Sequence, residues 1–426
     1  LEIEYSRFIR TTDEDHIFVV QKIFEILKEK DDIYKAQYKG WFCTPCENFW
    51  SETQLEGQTA CPDCKRELSR IEEVNYFFRM SKYQAWLIDH IKANPDFIKP
   101  ASRRNEILGF LQNKLNDLCV TRPKSRLGWG IEIPFDKEYV SYVWFDALIN
   151  YITGCGFSKD EKQFKELWPA DLHIVGKDIL RHHAVYWPIM LHAAGLPLPR
   201  TIFAHGWWTI KGEKMSKSRG NAVNPLDMID IFGVDPYRYF LLREVTFGLD
   251  GTFSEEAVKT RYNSDLANDF GNLLNRSLTM VEKYFDGKVP APGDGGKLSK
   301  RAESLPEELK KALGELNFSM ALSAIWELIN MANKYIEESA PWTLNKEGNT
   351  RKLQEVIYNL METLRVVAIC AHPFMPRATE NMWRQLGFEG ALSSERIDKV
   401  GWGKTPEGQL VKKDKPLFPR IAQEEK

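Results

Sequence analysis

Apolar residues recur every three or four positions in HIFVVQKIFEILKEK, from His16, a spacing that predicts an amphipathic helix closing on charge. NYFFRMSKYQAWLIDHIKAN and NEILGFLQNKLND also read as helical, parted by the turn signal Asn94-Pro95. The texture then changes. YVSYVWFDALINYI, LHIVGKDIL and TIFAHGWWTI are β-rich or β-to-loop runs, and RHHAVYWPIMLHAAG, between the last two, has a helical pattern. This alternation predicts a parallel α/β sheet, which binds ligands at the carboxyl ends of its strands.

Past about Ser254 no strand signal survives. SDLANDFGNLLNRSLTMVEKYF precedes a Pro/Gly loop, VPAPGDGGK, and then PEELKKALGELNFSMALSAIWELINMANKYIEES, with Pro306 expected in a first helical turn. Phe318, Leu322, Ile325, Ile329, Ala332 and Ile336 mark one buried face of that run, and APW at Ala340 to Trp342 ends it. TRKLQEVIYNLMETLRVVAICA and PRATENMWRQLG complete a predicted all-helical bundle, followed by a loop-like tail to Lys426.

Length and composition refine this. A chain of 426 residues accommodates two or three domains. The net charge of -2 gives no bulk reason to expect nucleic acid, so phosphate binding must be local. No apolar run reaches membrane length, and the mixed, charged start LEIEYSRFIRTTDEDH is not a secretory signal, so a cytoplasmic setting is expected. Cys43-x2-Cys46 and Cys61-x2-Cys64, fourteen residues apart, have the spacing of four thiolates around one structural Zn²⁺; two disulfides are the less favoured reading in a reducing compartment. Cys119, Cys155 and Cys370 are read as small buried hydrophobes.

KGEKMSKSRGN, Lys211 to Asn221, is the densest cationic stretch on a nearly neutral chain. Gly212 and Gly220 permit unusual backbone angles, Ser216 and Ser218 can hydrogen-bond phosphate, and Lys214 and Lys217 carry compact charge on flexible stems. Such a loop can close over a polyphosphate and stabilise a leaving pyrophosphate; a generic lysine cluster is more often a solvated surface loop.

The string KMSKS, Lys214 to Ser218, resembles the signature of class I aminoacyl-tRNA synthetases. With FIRTT at Phe8, the two CxxC pairs, YVWFDALINY near Tyr142, HIVGKDILRHHAVYWP from His173, FAHGWW at Phe203 and APW at Ala340, the resemblance is to the methionyl family and covers essentially the whole chain. It implies ATP-dependent activation of methionine to methionyl adenylate, then transfer to tRNA(Met), with Mg²⁺ accompanying ATP and one structural Zn²⁺ per chain.

By motif position the resemblance assigns methionine binding to Trp144, Ala147, Leu148, Tyr151, Ile179, His183 and Trp187. A thioether is polarizable and favours aromatic edges, and a tyrosine hydroxyl or imidazole can offer sulfur a weak donor. Trp144 and Trp187 read equally well as core aromatics. Of the adjacent His182 and His183, at most one should face the pocket, and His182 is left as structural. Leu148 stands where the family more often has proline, and Asn150 where glycine is frequent. Glu132 and Asp178 resemble ribose-contacting carboxylates, although Asp178 is also placed to cap a helix. ATP binding further falls to Lys214, Met215, Ser216, Lys217 and Ser218, with Lys214 and Lys217 as the catalytic clamp on pyrophosphate. Asn272, Arg276 and Trp342 match anticodon contacts; four residues apart, the first two share a helix face, and the indole can stack on an unpaired base.

The implied layout is a remnant of the first catalytic half at 1–33, a zinc-knuckle insertion at 34–78, the rest of the connective insertion at 79–140 and the second half of a Rossmann-like domain at 141–212. The KMSKS and stem-contact region follows at 213–254, a helical anticodon-binding domain at 255–395 and a tail at 396–426. The family's HxGH motif is absent, and the chain opens on Leu1, so the first half of the ATP site is expected upstream, either truncated from the same polypeptide or on a separate amino-terminal segment, and the chain alone is expected to be weak in adenylate formation. The rival readings are a noncatalytic tRNA-binding subunit or fragment, and a leucine or isoleucine specificity.

Overall fold

The computed structural model describes the chain except residues 45–47, 51–54, 56, 63–64, 216–220 and 423–426. It divides into two compact units, Glu4–His205 and Gly206–Lys426 with Leu1–Ile3.

In the first unit, the helix Glu14–Glu29 buries Val19, Val20, Ile23, Phe24 and Leu27, as its period predicts. Ile33–Cys43 and Ser69–Phe78 pair antiparallel, Ile33 opposite Phe78 and Phe42 opposite Ser69. The predicted helix NYFFRMSKYQAWLIDHIKAN is therefore split: Asn75–Phe78 belongs to that strand, and the α-helix begins at Gln84. Tyr76, Phe77 and Phe78 are aromatic β-formers, and strand pairing outweighs the helical spacing. Ala101–Phe110 is helical, but QNKLND beyond it is not.

The expected parallel sheet is present, with Thr201–His205 between Ile98–Lys99 and Leu172–Gly176, both neighbours parallel to it. Among the β-rich runs, YVSYVWFDALINYI needs correction: the strand Asp136–Ser141 ends before Tyr142, and Val143–Gly154 is an α-helix. Its aromatic and β-branched residues serve a buried helix face, Phe145, Leu148, Ile149 and Ile152, rather than a strand.

The second unit opens at Gly206, where a Cβ would lie 2.2 Å from the Leu249 carbonyl oxygen, so only glycine fits. Trp208–Ile210 and Glu213–Lys214 form a hairpin turned by Lys211 and Gly212, both at positive φ (50° and 82°). Beyond it the described residues form the predicted helices. Phe318–Ser339 buries Leu322, Ile325, Ile329, Ala332 and Ile336, with Phe318 half-buried. Thr350–Ala371 is buried almost all round and forms the centre of the bundle. Pro306 is not in a first turn: the helix runs Gly296–Gly314 through it, held by Leu298, Ala302, Leu305, Leu309 and Ala312. The tail is tied down by the buried Glu362–Arg365 pair, which accepts from the backbone N–H groups of Lys404 and Thr405 and donates to the carbonyls of Val400 and Gly401.

Candidate functional site

The helix Val143–Gly154 and the helical segment that follows the strand Leu172–Gly176 bring together Trp144, Tyr151, His183 and Trp187 of the predicted methionine residues. Trp144 and Tyr151 are two helical turns apart on one face. Opposite them, a π-helical turn, His182–Tyr186, leads into the helix Trp187–Ala194. Tyr151 lies 6.0 Å from Trp187 and 5.7 Å from His183, ring centre to ring centre. Ala147 is half-buried on the same helix, and Leu148, 1% exposed, is part of the core.

Hydrogen bonding fixes the protonation pattern. His183 is buried, which lowers its pKa and keeps the ring neutral. Its Nδ1 donates to the Ile179 carbonyl at 3.0 Å, so Nε2 accepts, and the Tyr151 hydroxyl donates to it at 2.8 Å. The weak donor expected for a thioether is thus already directed at an imidazole. Burial pushes the Tyr151 pKa up, which keeps the hydroxyl protonated.

His182 stacks on Trp144 at 3.9 Å and 21°, while His183 meets the same indole edge-on at 6.3 Å. The two adjacent imidazoles do point differently, yet both touch Trp144. Burial, then the neighbouring charges of His183 and Arg181, drives His182 down to about 3.

His173 and Trp168 also belong to this cluster, and sequence reading passed over both. His173 Nε2 accepts the Trp187 indole N–H at 3.2 Å, and its ring lies 4.1 Å from Tyr151. Burial, then the His183 charge, brings it to about 4, so it too is neutral. Trp168 packs 6.1 Å from Trp187. The available signal was strand alternation: His173 points inward from LHIVG while exposed Ile174 points out.

Asp178 sits in the 3₁₀ turn Lys177–Ile179, at the carboxyl end of a parallel strand. A Cβ at Gly176 would come within 2.5 Å of its Oδ1, so glycine is what admits this carboxylate. The residue immediately before that turn is Gly176. Glu132 lies in a separate antiparallel sheet, where Lys124 pairs with it at 2.5 Å and holds its carboxyl below the usual range.

Met215 continues from the Trp208–Ile210 hairpin, its N–H donating to the Trp208 carbonyl at 3.2 Å. Ser216, Lys217 and Ser218, and the Lys214 side chain, lie outside the described residues. Asn272 is exposed at the start of the helix Asn272–Phe285. Arg276, one turn on, pairs with Glu337 at 2.7 Å. Glu337 precedes the Ala340 break (φ 40°) that begins the short helix carrying exposed Trp342.

Cys43 and Cys61 are buried in one small cluster with Leu55 and Leu68, flanked by Trp41 and Trp50. Cys46 and Cys64 lie outside the described residues. Among the described residues this cluster has four buried members, and the two thiols gathered in it suit a soft cation such as Zn²⁺.

A parallel α/β unit with this strand-end carboxylate, followed by a helical bundle, defines a class I tRNA synthetase catalytic region joined to an anticodon-binding domain. Family comparison agrees: "tRNA synthetases class I (M)" matches residues 1–75 and 69–278, and "Anticodon-binding domain of tRNA ligase" matches 297–415. The chain belongs to the methionyl family of class I tRNA synthetases. It is 50% identical to the methionine–tRNA ligase of Caldanaerobacter subterraneus subsp. tengcongensis and 49% identical to that of Clostridium acetobutylicum, in each case over 99% of this chain and 66% of the relative. The Mycobacterium tuberculosis methionyl-tRNA synthetase in complex with methionyl-adenylate superposes with a TM-score of 0.92 at 41% identity, covering 98% of this chain and 83% of that one. The chain thus spans just under two thirds of the length of those two curated relatives.

Proposed function

We propose that the protein containing this chain is a methionine–tRNA ligase. The observation that carries this reading is the uncharged aromatic cluster of Trp144, Tyr151, His183 and Trp187, whose imidazole burial keeps neutral. A polarizable thioether suits such a lining, and a charged side chain does not.

In the proposed reaction the methionine carboxylate attacks the α-phosphate of ATP, releasing pyrophosphate, and the terminal ribose hydroxyl of tRNA(Met) then displaces AMP from the adenylate. Little covalent chemistry falls to the protein in the first step, so placement and charge stabilisation dominate. Lys214 and Lys217 are assigned to the developing charge on pyrophosphate, with Met215, Ser216 and Ser218 shaping the loop. Asp178 is the carboxylate placed for a ribose hydroxyl; Glu132 can take the same role by exchanging its Lys124 partner. Mg²⁺ bound with ATP supplies phosphate charge neutralisation. Cys43, Cys46, Cys61 and Cys64 would hold a structural Zn²⁺ that cross-links this segment. Asn272, Arg276 and Trp342 are the proposed anticodon readers.

The test is tRNA charging by the full-length protein with labelled methionine, leucine and isoleucine in parallel. Charging with methionine alone is expected. A protein that binds tRNA and charges it with none of the three is the noncatalytic subunit instead.

A further inference from the structure

The helix that presents Trp144, Ala147 and Tyr151 has a second functional face. Asp146 and Thr153 each stand two residues beyond a pocket tryptophan or tyrosine, about 200° around the axis from it, so they occupy the back of the helix. One side chain holds both. His16, completely buried on the helix Glu14–Glu29, pairs through Nε2 with Asp146 Oδ1 at 2.6 Å. Its Nδ1 lies 3.2 Å from Thr153 Oγ1. The Thr153 hydroxyl, which also has the Ile149 carbonyl as a partner at 3.1 Å, faces that nitrogen. Both ring nitrogens are engaged, one near the start of the pocket helix and one near its end.

Apolar packing joins the same two helices, with Phe24 4.4 Å from Phe145. Such packing is non-directional, and a small roll or slide of the helix would preserve most of it while moving Trp144 and Tyr151. Two hydrogen bonds from one rigid ring, reaching points two turns apart, oppose both motions.

We propose that His16 is a positioning residue for methionine recognition, acting through Asp146 and Thr153 to set the roll and depth of the helix that carries Trp144 and Tyr151. The inference rests on the methionine–tRNA ligase reading. It concerns His16, whose hydrogen bonds run to Asp146 and Thr153.

The test is methionine-dependent ATP–pyrophosphate exchange in the full-length protein, measuring KM for methionine and for ATP separately. His16→Leu should raise the methionine KM about tenfold or more and leave the ATP KM within about twofold, because misplacement of the order of 1 Å is costly in a shaped site. His16→Gln, which keeps one donor, should recover part of the loss. Thr153→Val, which removes one anchor and keeps the ring, should give a severalfold rise. Phe24→Leu, a core change in the same helix contact with no hydrogen bond, should lower the thermal midpoint without moving the methionine KM. Unchanged methionine KM in His16→Leu and Thr153→Val overturns the proposal, as does an equal rise in both KM values, which marks a general structural role. Absence of methionine-dependent exchange in the unmutated protein sinks the ligase reading itself, and is distinguished from the other outcomes by that control.

Discussion

Trp187, His173, Tyr151 and His183 form a chain of contacts in which each polar atom has one available role. Tyr151→Phe leaves His183 Nε2 without its donor in a buried site, a loss of about 1–3 kcal/mol in stability. The methionine KM should rise about tenfold, read from steady-state exchange. The buried imidazoles also set a pH dependence. His173 and His182, ordinarily near 6.5, titrate at about 4 and about 3 in the folded protein because burial disfavours their charged forms. Below 6.5 the unfolded chain binds protons that the folded one does not. The stability present above 6.5 is therefore lost as pH falls, at up to about 1.4 kcal/mol per pH unit for each group. Thermal midpoints should drop between pH 6.5 and 4, and His173→Gln should flatten that slope. Trp144, Tyr151, His183 and Trp187 were legible from motif resemblance, and the structure gathers them. His173 opens one of the matched motifs and was given no role there, and Trp168, before a proline, lies outside them; their contacts with Trp187 place both in the cluster.

At the scale of elements, periodicity succeeded where one face alone is buried, as in Glu14–Glu29 and Phe318–Ser339. It failed where residues with strand-like chemistry fill a helix, as in Val143–Gly154, and where aromatic residues at helical spacing complete a long antiparallel ribbon, as in Asn75–Phe78. Proline's preference for a first turn misplaced Pro306, since the apolar stripe from Leu298 carries the helix through it. The tail read as loop, and it is one, yet the buried Glu362–Arg365 pair fixes it. Burial raises the Glu362 pKa, but Arg365, Thr405 and the Lys404 N–H outweigh it and hold the carboxyl low. Arg365→Met strands that carboxylate and should cost about 3–5 kcal/mol, with earlier proteolytic cleavage near Trp402 as the local readout.

For the whole molecule, the succession of α/β structure and a helical bundle was readable from the switch in periodicity near Ser254, whereas the compact units divide earlier, at Gly206. The long ribbon of Ile33–Cys43 and Ser69–Phe78 was not, since its pairing joins residues far apart in sequence. If the CxxC pairs act as proposed, the purified protein should carry about one zinc per chain by elemental analysis, and Cys43→Ser should lower that content and destabilise the ribbon's far end. The central claim is activation of methionine, and ATP–pyrophosphate exchange with the full-length protein, run across amino acids, tests it most directly. Exchange driven by methionine and not by leucine or isoleucine is the predicted result. No exchange with methionine, or equal exchange with leucine, would contradict the account.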